Sequence, residues 1–170
     1  SSQPNKYSRR AGIEHVKSFQ IKSLLECGCG LGYYANWIHR ETGIVPISVD
    51  ISKVAIEKAT KLFPQLHFEV ADITTDLSKY KSVDCVMFAE IIWYILPNLN
   101  DILSQLKQHF SGKYLLVNQV FYKGTQKYGV EYFTNLSQFI DFIPFQCVGS
   151  CEATLHADTT IETSTIFRIA

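Results

Sequence analysis

The sequence predicts an α/β fold built on a mostly parallel sheet of seven strands. Three features predict it. Short apolar runs alternate with helical patterns from Ile21 to Gln119, which is the pattern of successive strand, helix, strand units. Val83 to Phe88 is close to continuously apolar, as a strand covered on both faces must be. Beyond Gln119 the texture changes, and two β-rich runs, Phe145 to Leu155 and Thr159 to Ile169, form an antiparallel hairpin that closes the sheet.

The elements follow in order. Residues 1–20 make a short N-terminal cap segment holding at most one short helix, around Ala11 to Phe19. Strand one is Ser23 to Glu26; a glycine turn follows, then a helix with Tyr34, Trp37 and Ile38 on one stripe. Strand two is Ile44 to Asp50. Ser52 stands as the N-cap of a helix carrying Val54, Ile56, Ala59 and Leu62, which Pro64 stops. Strand three is His67 to Ala71, and a polar loop from Thr74 to Ser82 leads into strand four, Val83 to Phe88. Asn98 to Phe110 is the next helix, with Ile102, Leu103 and Leu106 inward and Gly112 as a C-cap. Strand five is Tyr114 to Gln119. Asn135 to Ile143 is a short helix ended by Pro144.

With 170 residues, 46% of them hydrophobic, the chain suits a single domain over 1–170 with one sizeable core. Sixteen Lys and Arg balance sixteen Asp and Glu, so no overall positive field attracts phosphate backbones or anionic membranes. Neither nucleic acid nor membrane is expected as a partner. The one local basic bias, Lys6, Arg9 and Arg10, is a solvated first turn by default and an anion contact as the second reading. Cysteines stand at 27, 29, 85, 147 and 151, three of them in apolar runs that suit buried thiols. Their spacings match no zinc site, and no metal is expected. An odd cysteine count without a secretory signal points to a reduced, cytoplasmic compartment. The longest apolar stretches fall far short of the roughly 20 residues of a membrane span.

The informative stretch is Leu24 to Gly32, where a buried strand turns into a helix. Gly28 and Gly30, lacking side chains, let the backbone take tight or positive-φ geometry and let a ligand lie against the main chain near a helix start. Two acids join them. Asp50 ends strand two and Asp72 ends strand three, both on the edge where open α/β sheets bind ligands. About 20 residues past the glycines, a carboxylate can accept both hydroxyls of a ribose. Asp72, with the N–H of Ile73, offers a donor and acceptor pair for an adenine lying against Ile51. Each acid alone is equally a turn residue.

Taken together, Glu26-Cys27-Gly28-Cys29-Gly30-Leu31-Gly32, Val49-Asp50-Ile51-Ser52, Val70-Ala71-Asp72-Ile73 and Val83-Asp84-Cys85-Val86-Met87-Phe88-Ala89-Glu90 resemble the four cofactor-site motifs of the class I S-adenosylmethionine-dependent methyltransferases. The resemblance covers about Lys22 to Gln119. Within that family, Glu90-Ile91-Ile92-Trp93-Tyr94-Ile95-Leu96 is similar to a segment of the small-molecule branch that includes the nodulation-factor N-methyltransferase. The resemblance implies a Rossmann-like, doubly wound domain that uses S-adenosylmethionine to methylate O or N on a small molecule, sugar or glycan precursor, as a monomer or homodimer. It implies that Glu26, Gly28, Gly30 and Gly32 take the amino-acid end of the cofactor, Asp50 and Ile51 its ribose and adenine, and Asp72 and Ile73 the adenine edge. Phe88 and Ala89 would then touch it through main chain.

Glu90, Trp93 and Tyr94 fall where the acceptor meets the methyl group, and Glu90, Tyr94, Tyr122 and His156 are the candidate bases. Trp93 and Tyr94 have a second reading as cover for the core. Phe121 to Phe133 is either a wall for an aromatic or sugar acceptor or ordinary core. The Asn/Asp-Pro-Pro-aromatic sequence of DNA and glutamine methylators is missing, which disfavours DNA adenine. Two alternatives share these features: an NAD(P)-dependent oxidoreductase, against which Tyr33 stands where a dinucleotide turn wants a third small residue, and a non-catalytic cofactor-binding protein of the same fold.

Overall fold

The computed structural model describes residues 5–170; the first four residues of the N-terminal segment lie outside the described ones. Helix α1 spans Lys6–Ser18 and buries Ser8, Gly12, Ile13 and Val16 on one stripe. It begins five residues before the expected helix. Strands β1 (Leu24–Cys27), β2 (Ile47–Asp50), β3 (His67–Val70), β4 (Cys85–Ala89) and β5 (Tyr114–Tyr122) are parallel to one another, with α2 (Tyr33–Thr42) and α3 (Lys53–Leu62) in the first two crossovers. Strand two starts three residues later than expected, because Gly43 closes α2 in a left-handed turn and Pro46 has no N–H for a ladder.

The expected polar loop after β3 is helical instead. Asp72 caps a short helix α4 (Ile73–Asp76), accepting from the N–H of Thr74 at 3.0 Å, and a 3₁₀ turn over Leu77–Tyr80 drives Leu77 fully into the core. After β4 come α5 (Ile92–Ile95), a 3₁₀ turn over Leu96–Asn98, and α6 (Leu99–His109). Leu99, Ile102, Leu103 and Leu106 face inward from α6 as an i, i+3, i+4, i+7 set. Helix α7 (Leu136–Phe142) precedes β6 (Gln146–Ala153) and β7 (Thr160–Arg168).

The sheet order is β3-β2-β1-β4-β5-β7-β6. The hairpin is therefore not appended as two outer strands in sequence; its second strand inserts between β5 and β6, antiparallel to both. Side chains of β4 alternate between two apolar layers. Cys85 and Met87 join Ile13, Val16, Tyr34 and Ile38 beneath α1 and α2, while Val86 and Phe88 join Ile92, Leu103 and Phe139 on the other face. This is a doubly wound, Rossmann-like arrangement with an antiparallel C-terminal hairpin. The strand order reverses between β1 and β4, which opens a crevice at their carboxyl ends. No helix among the described residues is long and apolar enough to cross a membrane, and all five cysteines are free thiols.

Candidate functional site

The turn after β1 is built by main chain. Gly28, Gly30 and Gly32 have φ of 80°, 55° and 87°, values that L side chains resist. Their reasons differ. A Cβ on Gly28 would run into Ile91 Cγ2, and one on Gly32 would sit 2.6 Å from Phe68 Cζ, whereas one on Gly30 would meet nothing within 4 Å. Only Gly30 has its bare face turned to open space.

The amide N–H groups of this turn are already engaged. Those of Gly28 and Cys29 donate to the Val49 carbonyl at 2.8 and 3.0 Å, that of Gly32 to the Cys29 carbonyl at 3.0 Å, and that of Gly30 to Asp50 Oδ2 at 2.9 Å. A pyrophosphate needs such N–H groups free at the helix start. Here those of Gly28, Cys29, Gly30 and Gly32 are spent on the fold. Asp50 accepts the Ser52 N–H on its other oxygen at 2.9 Å, so one carboxylate ties the glycine turn to the start of α3.

Glu26 and Glu90 bring carboxylates to the floor of the crevice. Glu26 is 1% exposed, and its Oε1 accepts from Ser48 Oγ at 2.8 Å. Burial pushes its carboxyl up to about 7, against the opposing pull of the Ser48 hydroxyl and the Arg9 charge. Glu90 follows β4 in a left-handed conformation, φ 63°, its N–H donating to the Asn118 carbonyl at 2.7 Å. A non-glycine residue there is uncommon and costs about 1 kcal/mol or more. The turn aims the side chain back toward α1, where Arg9 Nη2 donates to Glu90 Oε2 at 3.3 Å. Burial raises the Glu90 carboxyl, with Arg9 opposing. Glu90 Oε1 and Arg9 Nε are buried without a hydrogen-bond partner.

Helix α1 roofs the site. Arg9 lies over the Tyr34 ring at 5.1 Å and Arg10 over Trp37 at 5.5 Å. Tyr34 donates its hydroxyl to the Arg9 carbonyl at 2.8 Å and accepts from Asn118 Nδ2 at 3.0 Å. Burial raises that phenol well above its ordinary range. Below this roof is a cleft of about 950 Å³ whose lining includes Glu26, Gly28, Gly30, Ala89 and Glu90 from the strand ends and Lys6, Arg9 and Arg10 from α1.

The other expected residues are distributed as follows. Gly32 is packed under α2 against Phe68. Ile51 stands 71% exposed beside Asp50 at the rim, and Asp72 spends Oδ1 on capping α4, with Ile73 buried behind it. The Phe88 side chain is fully buried in the core away from the cleft. Of the four candidate bases only Glu90 lines the cleft. Tyr94 is 84% exposed on α5, Tyr122 lies four residues past the Ala89 level of the sheet, and His156 is on the exposed β6–β7 turn. Trp93 takes its core reading: its indole donates to the Val120 carbonyl at 3.1 Å and its ring packs on Phe121 and Phe133. Those two phenylalanines are themselves buried core.

Sequence reasoning missed the α1 contribution. Lys6, Arg9 and Arg10 read as a solvated turn, yet all three line the cleft, as do Tyr34, Trp37 and Arg40 from α2. The available signal was the Arg9 to Gly12 stretch, since Gly12 is where α1 closes onto Tyr34 and Asn118.

Comparison with known proteins gives the family and the fold. A family profile described as a methyltransferase domain matches residues 24–111. The fold is similar to that of the MccD protein, with a TM-score of 0.75 and 14% identity over 97% of both chains. It is also similar to the N-methyltransferase NodS from Bradyrhizobium japonicum WM9, with a TM-score of 0.72 and 15% identity over 99% of this chain and 98% of that one. NodS in complex with S-adenosyl-L-homocysteine matches at a TM-score of 0.72 and 16% identity, over 99% of this chain and 89% of that one. No curated protein sequence matches significantly.

Proposed function

The chain belongs to the methyltransferase-domain family and is an S-adenosylmethionine-dependent methyltransferase, and from that premise we propose that it methylates an O or N atom of a small molecule, a sugar or glycan precursor among them. The cofactor suits the residues present. Gly30 leaves open the space a Cβ would fill. Glu26 would hold the ammonium, Arg9 would face the carboxylate from α1, and Asp50 keeps lone pairs for the ribose. When bound, the cofactor supplies a methyl group already attached to a good leaving group.

The protein's own residues then align the acceptor, exclude water and take up its proton. The observation that carries the reading is Glu90. It stands at the end of β4 in the crevice, with Oε1 unpaired and its carboxyl raised by burial, so that it can accept a proton from a hydroxyl or ammonium at that oxygen. A cleft of about 950 Å³ under a helical roof is the size of a small-molecule site. The test is transfer of labelled methyl from S-adenosylmethionine into cell extract fractionated by size. Label is expected in the small-molecule fraction, and Glu90→Gln is expected to lower transfer about 10²- to 10⁴-fold with S-adenosylhomocysteine affinity retained. Label confined to nucleic acid or protein would overturn the reading.

A further inference from the structure

The cleft carries a small excess of positive charge within a protein that is neutral overall. The whole chain is neutral, yet the lining holds Lys6, Arg9, Arg10 and Arg40 against Glu26, Glu41 and Glu90. The acids are accounted for. Glu90 pairs with Arg9, Glu41 pairs with Lys17 at 3.7 Å, and Glu26 is the buried floor carboxylate. That leaves Lys6, Arg10 and Arg40, none of which forms an ion pair among the described residues.

Two features make this more than a solvated face. Lys6, Arg9 and Arg10 occupy the first turns of a 13-residue helix that has no acidic residue in its first turn and no side-chain cap from Asn5. Cations at the positive end of a helix repel its dipole by a few tenths of a kcal/mol each, an arrangement that an anion reverses. Arg10 is also held in place. Its Cζ lies 5.5 Å from the Trp37 ring centroid while the residue stays exposed, so its donors are open for bidentate contact with a carboxylate or phosphate.

We propose that the methyl acceptor is anionic, carrying a carboxylate or phosphate that docks on Lys6, Arg10 and Arg40 in the outer part of the cleft while its nucleophilic atom reaches Glu90. This rests on the methyltransferase reading of the same cleft. It assigns α1 a share in substrate choice, through cations that the cofactor does not use.

Calorimetric titration of the full chain tests it in two steps. S-adenosylhomocysteine is bound first, and the loaded protein is then titrated with pyrophosphate and, separately, with citrate at matched ionic strength. Saturable binding of one of the two is expected, which identifies the phosphate or the carboxylate as the group recognised. The Arg10→Gln and Arg40→Gln variants should each weaken that anion about tenfold, Arg40→Lys should restore most of it, and S-adenosylhomocysteine affinity should stay within about twofold. Absence of saturable binding by either probe, or binding that the variants leave unchanged, overturns the proposal. Variants that weaken S-adenosylhomocysteine as much as the anion also overturn it, because the cations would then serve the cofactor. Failure of the wild-type protein to bind S-adenosylhomocysteine is a separate result: it sinks the reading on which the proposal rests and the proposal with it.

Discussion

The two sides of the cleft satisfy their polar groups in opposite ways. On the glycine-turn side the donors and acceptors close on one another through main chain: Val49 takes two N–H groups, Asp50 takes those of Gly30 and Ser52, and Asp72 caps α4. On the side of α1 and the end of β4, Glu90 Oε1, Arg9 Nε and Asn118 Oδ1 are buried without partners. An unsatisfied buried group costs about 1–3 kcal/mol, so the second side is held in place at the expense of stability. The lesson is a division of labour. The first side is rigid before anything binds, and the second keeps unpaired polar groups that an incoming polar molecule can satisfy.

The sharpest way to break this contrast is Gly28→Ala. Its Cβ would run into Ile91 in a backbone at φ 80°, so overpacking plus left-handed strain should cost about 3 kcal/mol or more in urea denaturation. A loss below about 1 kcal/mol would show that the turn is not rigid. Next comes Asp50→Ala, which removes the acceptor of the part-buried Gly30 N–H, of the exposed Ser52 N–H and of any ribose hydroxyl. It should lower cofactor affinity by about 1–3 kcal/mol and stability by a comparable amount, separable by running calorimetry and denaturation on the same variant.

Glu26 sharpens the comparison through pH. Its folded carboxyl titrates at about 7, above its ordinary value of 4.5, so the folded state binds more protons than the unfolded one between those values. Stability should therefore fall as pH rises from about 4.5 to 7 and level off above. Affinity for the ammonium-bearing cofactor should rise across neutrality as the carboxylate forms. Glu26→Gln should flatten both profiles. The smallest effect belongs to Tyr94, which is 84% exposed: Tyr94→Phe should change stability by less than about 0.5 kcal/mol and leave methyl transfer intact, and a large kinetic loss would return it to the acceptor side.

The same division explains what the sequence disclosed. Main-chain demands leave marks in residue type, so the need for Gly28 and Gly30 and the strand-end placement of Asp50 and Asp72 were legible, while the roles expected of the two acids came from the family resemblance. Even there the motif hid a detail, since nothing in the string Gly28-Cys29-Gly30 says that its N–H groups are consumed by Val49 and Asp50. The α1 side left no such marks. Arg9 reaches Glu90 only because α1 folds back across the sheet, a placement fixed by Gly12 packing and by Ser8 bonding to Glu162, 154 residues away. Trp93 misled for a related reason. Its position after β4 suits an acceptor wall, but Phe121 and Phe133, brought in by later segments, draw the ring into the core.

The insertion of β7 between β5 and β6 sets an order of events on a growing chain. Helix α1 docks on β7: Ser8 donates to Glu162 and His15 meets Ser164 at 3.1 Å. Strands β1 to β5 and the glycine turn can assemble as soon as they emerge from the ribosome, with the edge of β5 still bare. The α1 roof packs on Tyr34, Ile38, Met87 and Leu116 as well, but its bonds to Glu162 and Ser164 form only once Thr160–Arg168 has slotted in beside β5, one of the long sequence separations that slow folding. The floor of the cleft thus closes through contacts among β1 to β5, whereas the roof that carries the α1 cations is completed by contacts 154 and 149 residues apart in sequence.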